Sequence, residues 1–139
     1  IVSGGFDPVH SGHINLMLAA KELGDELIVL LNSDKWLENK KGKPFMNWFE
    51  RKMVLENMWF VDKVLMFDDS DGTVCDALHK IRPDYFANGG DRGKENTPEQ
   101  DVCEELGIEM LWGVGGDYKR NSSSDLAKNL VENYPKENK

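Results

Sequence analysis

Short apolar runs alternate with helix-length stretches along this chain, and that alternation leaves few folds open. Runs of strand length fall at 26–31, 63–67, 84–87 and 109–112, with a shorter one at Ile1-Val2. They are mostly unalternated and bounded by Gly, Pro or Asp, the pattern of parallel strands covered on both faces. Between them, 12–23, 48–60, 73–81, 98–106 and 123–133 read as helices. Gly24-Asp25, Arg82-Pro83-Asp84 and Gly107 stop helices ahead of the next strand. The alternation predicts an α/β fold: a single Rossmann-like, doubly wound, parallel five-stranded sheet with helices on both faces. Ligands of such sheets bind beyond the carboxyl ends of the strands, near the point where strand order reverses. The loops after the first, second, fourth and fifth strands are therefore expected to converge.

The 139 residues fit one domain, 1–139, with 134–139 expected to be a frayed tail. The chain opens on Ile1 inside an apolar run, which leaves room for preceding residues or a preceding domain. A formal charge of −8 argues against a protein that wraps nucleic acid, so any bound phosphate must be held locally. No apolar run approaches the roughly 20 residues that span a bilayer, and no signal-peptide layout opens the chain; the expected location is cytoplasmic. Cys75 and Cys103 match no metal or redox spacing and read as packing residues.

The loop from Gly4 to His13 carries the chemistry. It follows the first strand and opens the first helix, where an α/β fold presents main-chain N–H groups to an anion. Gly4 and Gly5 allow close approach of a phosphate, Pro8 stiffens the turn, and His10 and His13 can point the same way across the helix start. Two such histidines can donate hydrogen bonds to oxygens that gain charge during a reaction. A zinc pair is a competing reading, but a structural zinc wants four ligands and nothing nearby completes the set. Incidental histidines in a plain turn are the other.

Gly4-Gly5-Phe6-Asp7-Pro8-Val9-His10-Ser11-Gly12-His13 resembles the signature of the cytidylyltransferase-like nucleotidyltransferases, in which a Gly-x-Phe-Asp stretch leads into His-x-Gly-His. Asn32-Ser33-Asp34, Glu50-Arg51, Gly89-Gly90-Asp91 and Ser122-Ser123-Ser124 follow in that family's order, so the resemblance covers nearly the whole chain. It is strongest toward members that act on heptose phosphate and glycerol phosphate. The resemblance implies that His10 and His13 stabilise a triphosphate under attack. It also implies that a lysine in the loop after the second strand, Lys40 first with Lys41 or Lys43 as alternatives, and Arg51 supply positive charge.

By the same resemblance Gly4, Gly5, Phe6, Asp7, Gly12, Gly90 and Asp91 line the nucleotide site, and Ser122, Ser123 and Ser124, with Arg120 beside them, face its outer phosphates. Each has a plainer reading. Ser122 to Asp125 is a complete helix capping box, Asp7 and Asp91 are natural turn residues, and a lone lysine or arginine is usually solvated. None of Trp36, Trp48, Trp59 and Trp112 is assigned to the site, because large aromatics usually pack cores or interfaces.

The expected reaction follows. A substrate phosphate is already anionic at neutral pH, so its attack on an α-phosphorus needs positioning and charge neutralisation more than a general base. The substrates would be CTP or ATP, bringing magnesium with the triphosphate, and a small phosphorylated sugar or polyol; no side chain is assigned as a metal ligand. Relatives commonly form homodimers, which makes a dimer the expectation. A cofactor precursor as acceptor, or a nucleotide-binding module without chemistry, is the alternative. A Walker loop is excluded, since Asn88 stands where its first glycine should be and Glu95 where its Ser or Thr should be. A Gly-x-Gly-x-x-Gly is likewise absent after the first strand, which disfavours dinucleotide oxidoreduction.

Overall fold

Each strand is short, and along the second the side chains alternate between two cores. A computed structural model describes residues 1–90 and 97–116, and among these the order is β1 (Val2–Gly4), α1 (Ser11–Leu23), β2 (Ile28–Leu31), α2 (Asp34–Lys41), α3 (Trp48–Glu56), β3 (Lys63–Leu65), α4 (Cys75–Ile81), β4 (Tyr85–Ala87), α5 (Pro98–Leu106) and β5 (Glu109–Leu111). On β2, Val29 and Leu31 enter a core shared with Met17 of α1 and with Trp48 and Leu55 of α3. Ile28 and Leu30 point the other way, into a core with Ala77 and Leu78 of α4 and Cys103 of α5. This period of two is why the run is apolar throughout, and it places helices on both faces. Full burial of one such side chain is worth roughly 1.5–3 kcal/mol.

All strand pairs among the described residues are parallel: β1 with β2, β2 with β3, and β4 with β5. Among the described residues the strands form a sheet of three in the order β1-β2-β3 and a sheet of two, so the expected five strands are not joined by one continuous ladder. The physical reason is the shortness of the contact between the halves. Ile1 N donates to Tyr85 O at 2.7 Å and Ala87 N donates to Ile1 O at 2.9 Å. These two bonds set β4 on the edge of β1 away from β2, but they come from a single residue and make no ladder.

Local signals explain most helix ends. Thr97 and Gln100 form a capping box around Pro98, and Gly107 takes a left-handed conformation after α5. α3 stops at Glu56 rather than at Phe60, because Met58 N turns back to Leu55 O and Val61 N to Met58 O. α2 has no counterpart in the expected elements. Only Leu37 of it is buried, so no apolar stripe betrays it; Ser33 at its start and Gly42 after its end are its marks. The helix expected at 123–133 lies outside the described residues. No described helix is long and apolar enough to cross a membrane.

Burial raises both cysteine thiols above their ordinary range, which keeps Cys75 and Cys103 protonated at neutral pH, as packing residues are.

Candidate active site

The first loop folds around its own histidines. His10 caps α1: its Nδ1 accepts from Gly12 N at 3.1 Å, and the N–H of His10 donates to Nδ1 of His13 at 3.2 Å. This is a capping box written with histidines. A ring nitrogen that accepts a main-chain N–H carries no proton, so in each neutral imidazole the proton sits on Nε2. The two rings stack, with centroids 3.7 Å apart and planes 22° from parallel. Phe6, with φ 47°, sets its ring edge-on to His13 at 4.9 Å. One loop thus fixes both the tautomer and the direction of two donors at a helix N-terminus, the pole that favours anions.

These residues line a cleft of about 720 Å³ at the carboxyl ends of the strands. Gly4, Gly5, Phe6, Asp7, Gly12, Gly90 and Lys40 of the expected set also line it, and Lys41 joins them. Lys43 does not line it. Asp91, Arg120, Ser122, Ser123 and Ser124 lie outside the described residues.

Asp7 is buried and already engaged. Its Oδ2 accepts from Phe45 N at 2.8 Å, its Oδ1 from Met46 N at 2.9 Å, and Lys41 Nζ stands 2.9 Å from Oδ2. Lys41 Nζ also donates to the Asp7 main-chain oxygen at 2.7 Å. The carboxylate therefore ties the loop after α2 onto the first loop. Arg51 has no exposed surface and lies beneath the first loop rather than along the cleft. Its Nε donates to Met46 O, its Nη1 to Gly5 O and Asn32 O, and its Nη2 to Asp34 Oδ1 at 2.6 Å.

Asp69, which the sequence did not single out, performs a similar task from the loop after β3. It accepts from Ser33 N at 2.8 Å, Ser33 Oγ at 2.7 Å and Asn32 Nδ2 at 3.1 Å. Its neighbours Asp68 and Asp71 are exposed, whereas Asp69 is buried. Asp69→Ala is expected to cost about 2–3 kcal/mol by chemical denaturation, because three donors lose a buried charged acceptor; a loss below about 0.5 kcal/mol would show that the clamp is idle.

Glycines shape the far wall. A Cβ on Gly115, whose φ is +85°, would stand 2.8 Å from main-chain atoms of Asn15 and Leu16 on α1. Backbone cannot yield as a side chain can, so Gly115→Ala is expected to lower stability by about 2 kcal/mol. A thermal melt of the variant unchanged from wild type would contradict this close packing. Trp36, assigned to no site from the sequence, lines the cleft, as do Asn15 and Glu99. Among the described residues no cluster of three or more His, Cys, Asp or Glu could cage a metal ion.

A parallel α/β layer with helices on both faces, opening a glycine-lined cleft over His-x-Gly-His at a helix N-terminus, defines the nucleotidyltransferase class. The chain belongs to the cytidylyltransferase-like family, which it matches over residues 1–129. It is 41% identical over 114 residues to the bifunctional protein HldE of Campylobacter concisus, covering 80% of this chain and 24% of that protein. It spans about a quarter of the length of the HldE relatives it matches. Against the FAD synthase of Thermococcus sibiricus it is 31% identical over 142 residues, covering 96% of this chain and 93% of that enzyme. The crystal structure of the lipopolysaccharide core biosynthesis protein from Thermoplasma volcanium superposes with a TM-score of 0.66 at 26% identity, covering 80% of this chain and 91% of that one.

Proposed function

We propose that residues 1–139 form one catalytic domain that transfers CMP or AMP from its triphosphate to the phosphate of a small acceptor, a sugar or polyol phosphate, and releases pyrophosphate. An acceptor phosphate oxygen bonds to the α-phosphorus as the bond from that phosphorus to the bridging oxygen of the β-phosphate breaks. In this reading the two sheets act as one doubly wound layer whose strand order reverses between β1 and β4, and the triphosphate lies over the first loop. The observation that carries the reading is the paired histidine cap, which turns two Nε2–H groups into fixed donors at a helix N-terminus, in a cleft that Lys40 and Lys41 also line.

Such donors strengthen as charge moves onto the bridging oxygen and cost no reorganisation when it does. In this reading magnesium enters as part of the substrate, carried by the triphosphate. A second reading has a cofactor precursor as the acceptor; the likeness to FAD synthase over almost the full length of both chains favours it. Pyrophosphate release from CTP or ATP with magnesium, assayed against heptose phosphates, glycerol phosphate and FMN, tests both. Release with FMN alone selects the second reading, and no release with any acceptor sinks nucleotidyl transfer.

A further inference from the structure

The cleft has two unlike halves. β2 pairs with one edge of β1, and β4 is bonded to Ile1 on the other, so the loops that follow β2 and β4 flank the first loop from opposite sides. On the β4 side the wall is Gly89, Gly90, Gly115 and Gly116 with Leu16 and Val114, a narrow surface open to close approach. On the β2 side the wall is Trp36 with Lys40, whose ammonium stands 4.8 Å from the centre of the indole ring. The two side chains are one helical turn apart on α2 and share a face. That face is pinned, because Ser33 Oγ accepts from Trp36 N at 3.1 Å and itself donates to Asp69 Oδ1 at 2.7 Å.

A half-buried indole beside a cation offers a flat apolar platform and an anion partner together. The exposed ammonium is held over the ring by only about 0.5–1 kcal/mol, so a phosphate can draw it away and leave the indole face for the ligand. We propose that Trp36 selects the acceptor: it stacks on the flat apolar face of a ring-bearing phosphorylated compound while Lys40 takes that compound's phosphate. Cyclic sugar phosphates and phosphorylated aromatic heterocycles share this chemistry; open-chain polyol phosphates lack the flat face. The proposal rests on the nucleotidyl-transfer reading, in which the glycine-lined half holds the nucleoside.

The test is calorimetric titration of the wild-type chain, Trp36→Phe, Trp36→Leu and Trp36→Ala with FMN, a pyranose phosphate and glycerol phosphate, and separately with CTP and ATP. Wild type is expected to bind FMN or the pyranose phosphate about five- to tenfold tighter than glycerol phosphate, and whichever ring compound binds identifies the source. Trp36→Ala and Trp36→Leu should lose that preference, Trp36→Phe should keep most of it, and triphosphate affinity should be the same in all four. Equal binding of glycerol phosphate and the ring compounds, or of neither, overturns the proposal. So does full rescue by leucine, or a triphosphate affinity that falls with the acceptor's. Acceptor binding that depends on Trp36 without any pyrophosphate release would remove the transfer reading and leave the platform in place.

Discussion

His13→Gln is expected to lower kcat by about a hundred- to a thousandfold while the dissociation constant of the triphosphate changes only a few-fold. Glutamine at the third helical position can still accept the His10 N–H, as in an ordinary capping box, so the loop keeps its path and the Nε2–H alone is lost. His10→Asn makes the same separation from the other side. Asparagine caps a helix as well as any residue, and its Oδ1 can take over the bond from Gly12 N, but it presents no imidazole to the cleft. His10→Ala removes both functions and should add about 1 kcal/mol of instability to the catalytic loss. The split between kcat and binding follows from timing, since charge on the bridging oxygen develops mainly in the transition state. Pre-steady-state pyrophosphate release together with equilibrium binding reads both quantities. Variants whose triphosphate affinity falls as far as their turnover would show that the histidines hold the ground state and that the paired cap is only a binding device.

The features legible in the sequence are those written in local chemistry. Runs such as Ile28-Val29-Leu30-Leu31 declare a strand covered on both faces, and Thr97-Pro98 with Gly107 declares a helix from both ends. His10 and His13 could be paired from their spacing, although their mutual capping depends on the extended backbone of His10. The illegible features are long-range. Nothing local distinguishes Asp69 from Asp68 and Asp71; what singles it out is the arrival of Ser33 and Asn32 from 36 and 37 residues away. Asp7 could be placed in the site loop, yet its partners Phe45 and Met46 come from a loop whose path depends on α2. That helix was itself invisible, because one buried leucine makes no periodic pattern. Trp36 followed suit, since a tryptophan on an unrecognised helix has no face to be read from. The division into two sheets was equally hidden, turning on two hydrogen bonds from one residue.

Arg51 carries the second large expectation. Arg51→Lys is expected to destabilise the chain about as much as Arg51→Ala, by about 3–5 kcal/mol. At this chain length that is a fall of roughly 10–20 °C in Tm. The guanidinium reaches four oxygens on three segments at once: Gly5 of the first loop, Asn32 and Asp34 around the start of α2, and Met46 ahead of α3. A lysine ammonium is a point charge with three donors and cannot span that fork. Either substitution leaves buried carbonyls without a donor, and lysine adds a buried charge with too few partners. Asp34→Asn should cost under about 1 kcal/mol by comparison, since that side chain is 39% exposed and water can replace much of the ion pair. The contrast separates two roles for the arginine. A cation that touched the triphosphate would lose turnover or affinity on substitution with its melt intact, and lysine would restore part of the loss. A brace beneath Gly5 loses the melt first, and activity follows only as the first loop loses its support. Thermal melts of Arg51→Lys, Arg51→Ala and Asp34→Asn, each repeated with saturating triphosphate, decide between them, and a wild-type Tm in Arg51→Ala would refute the brace.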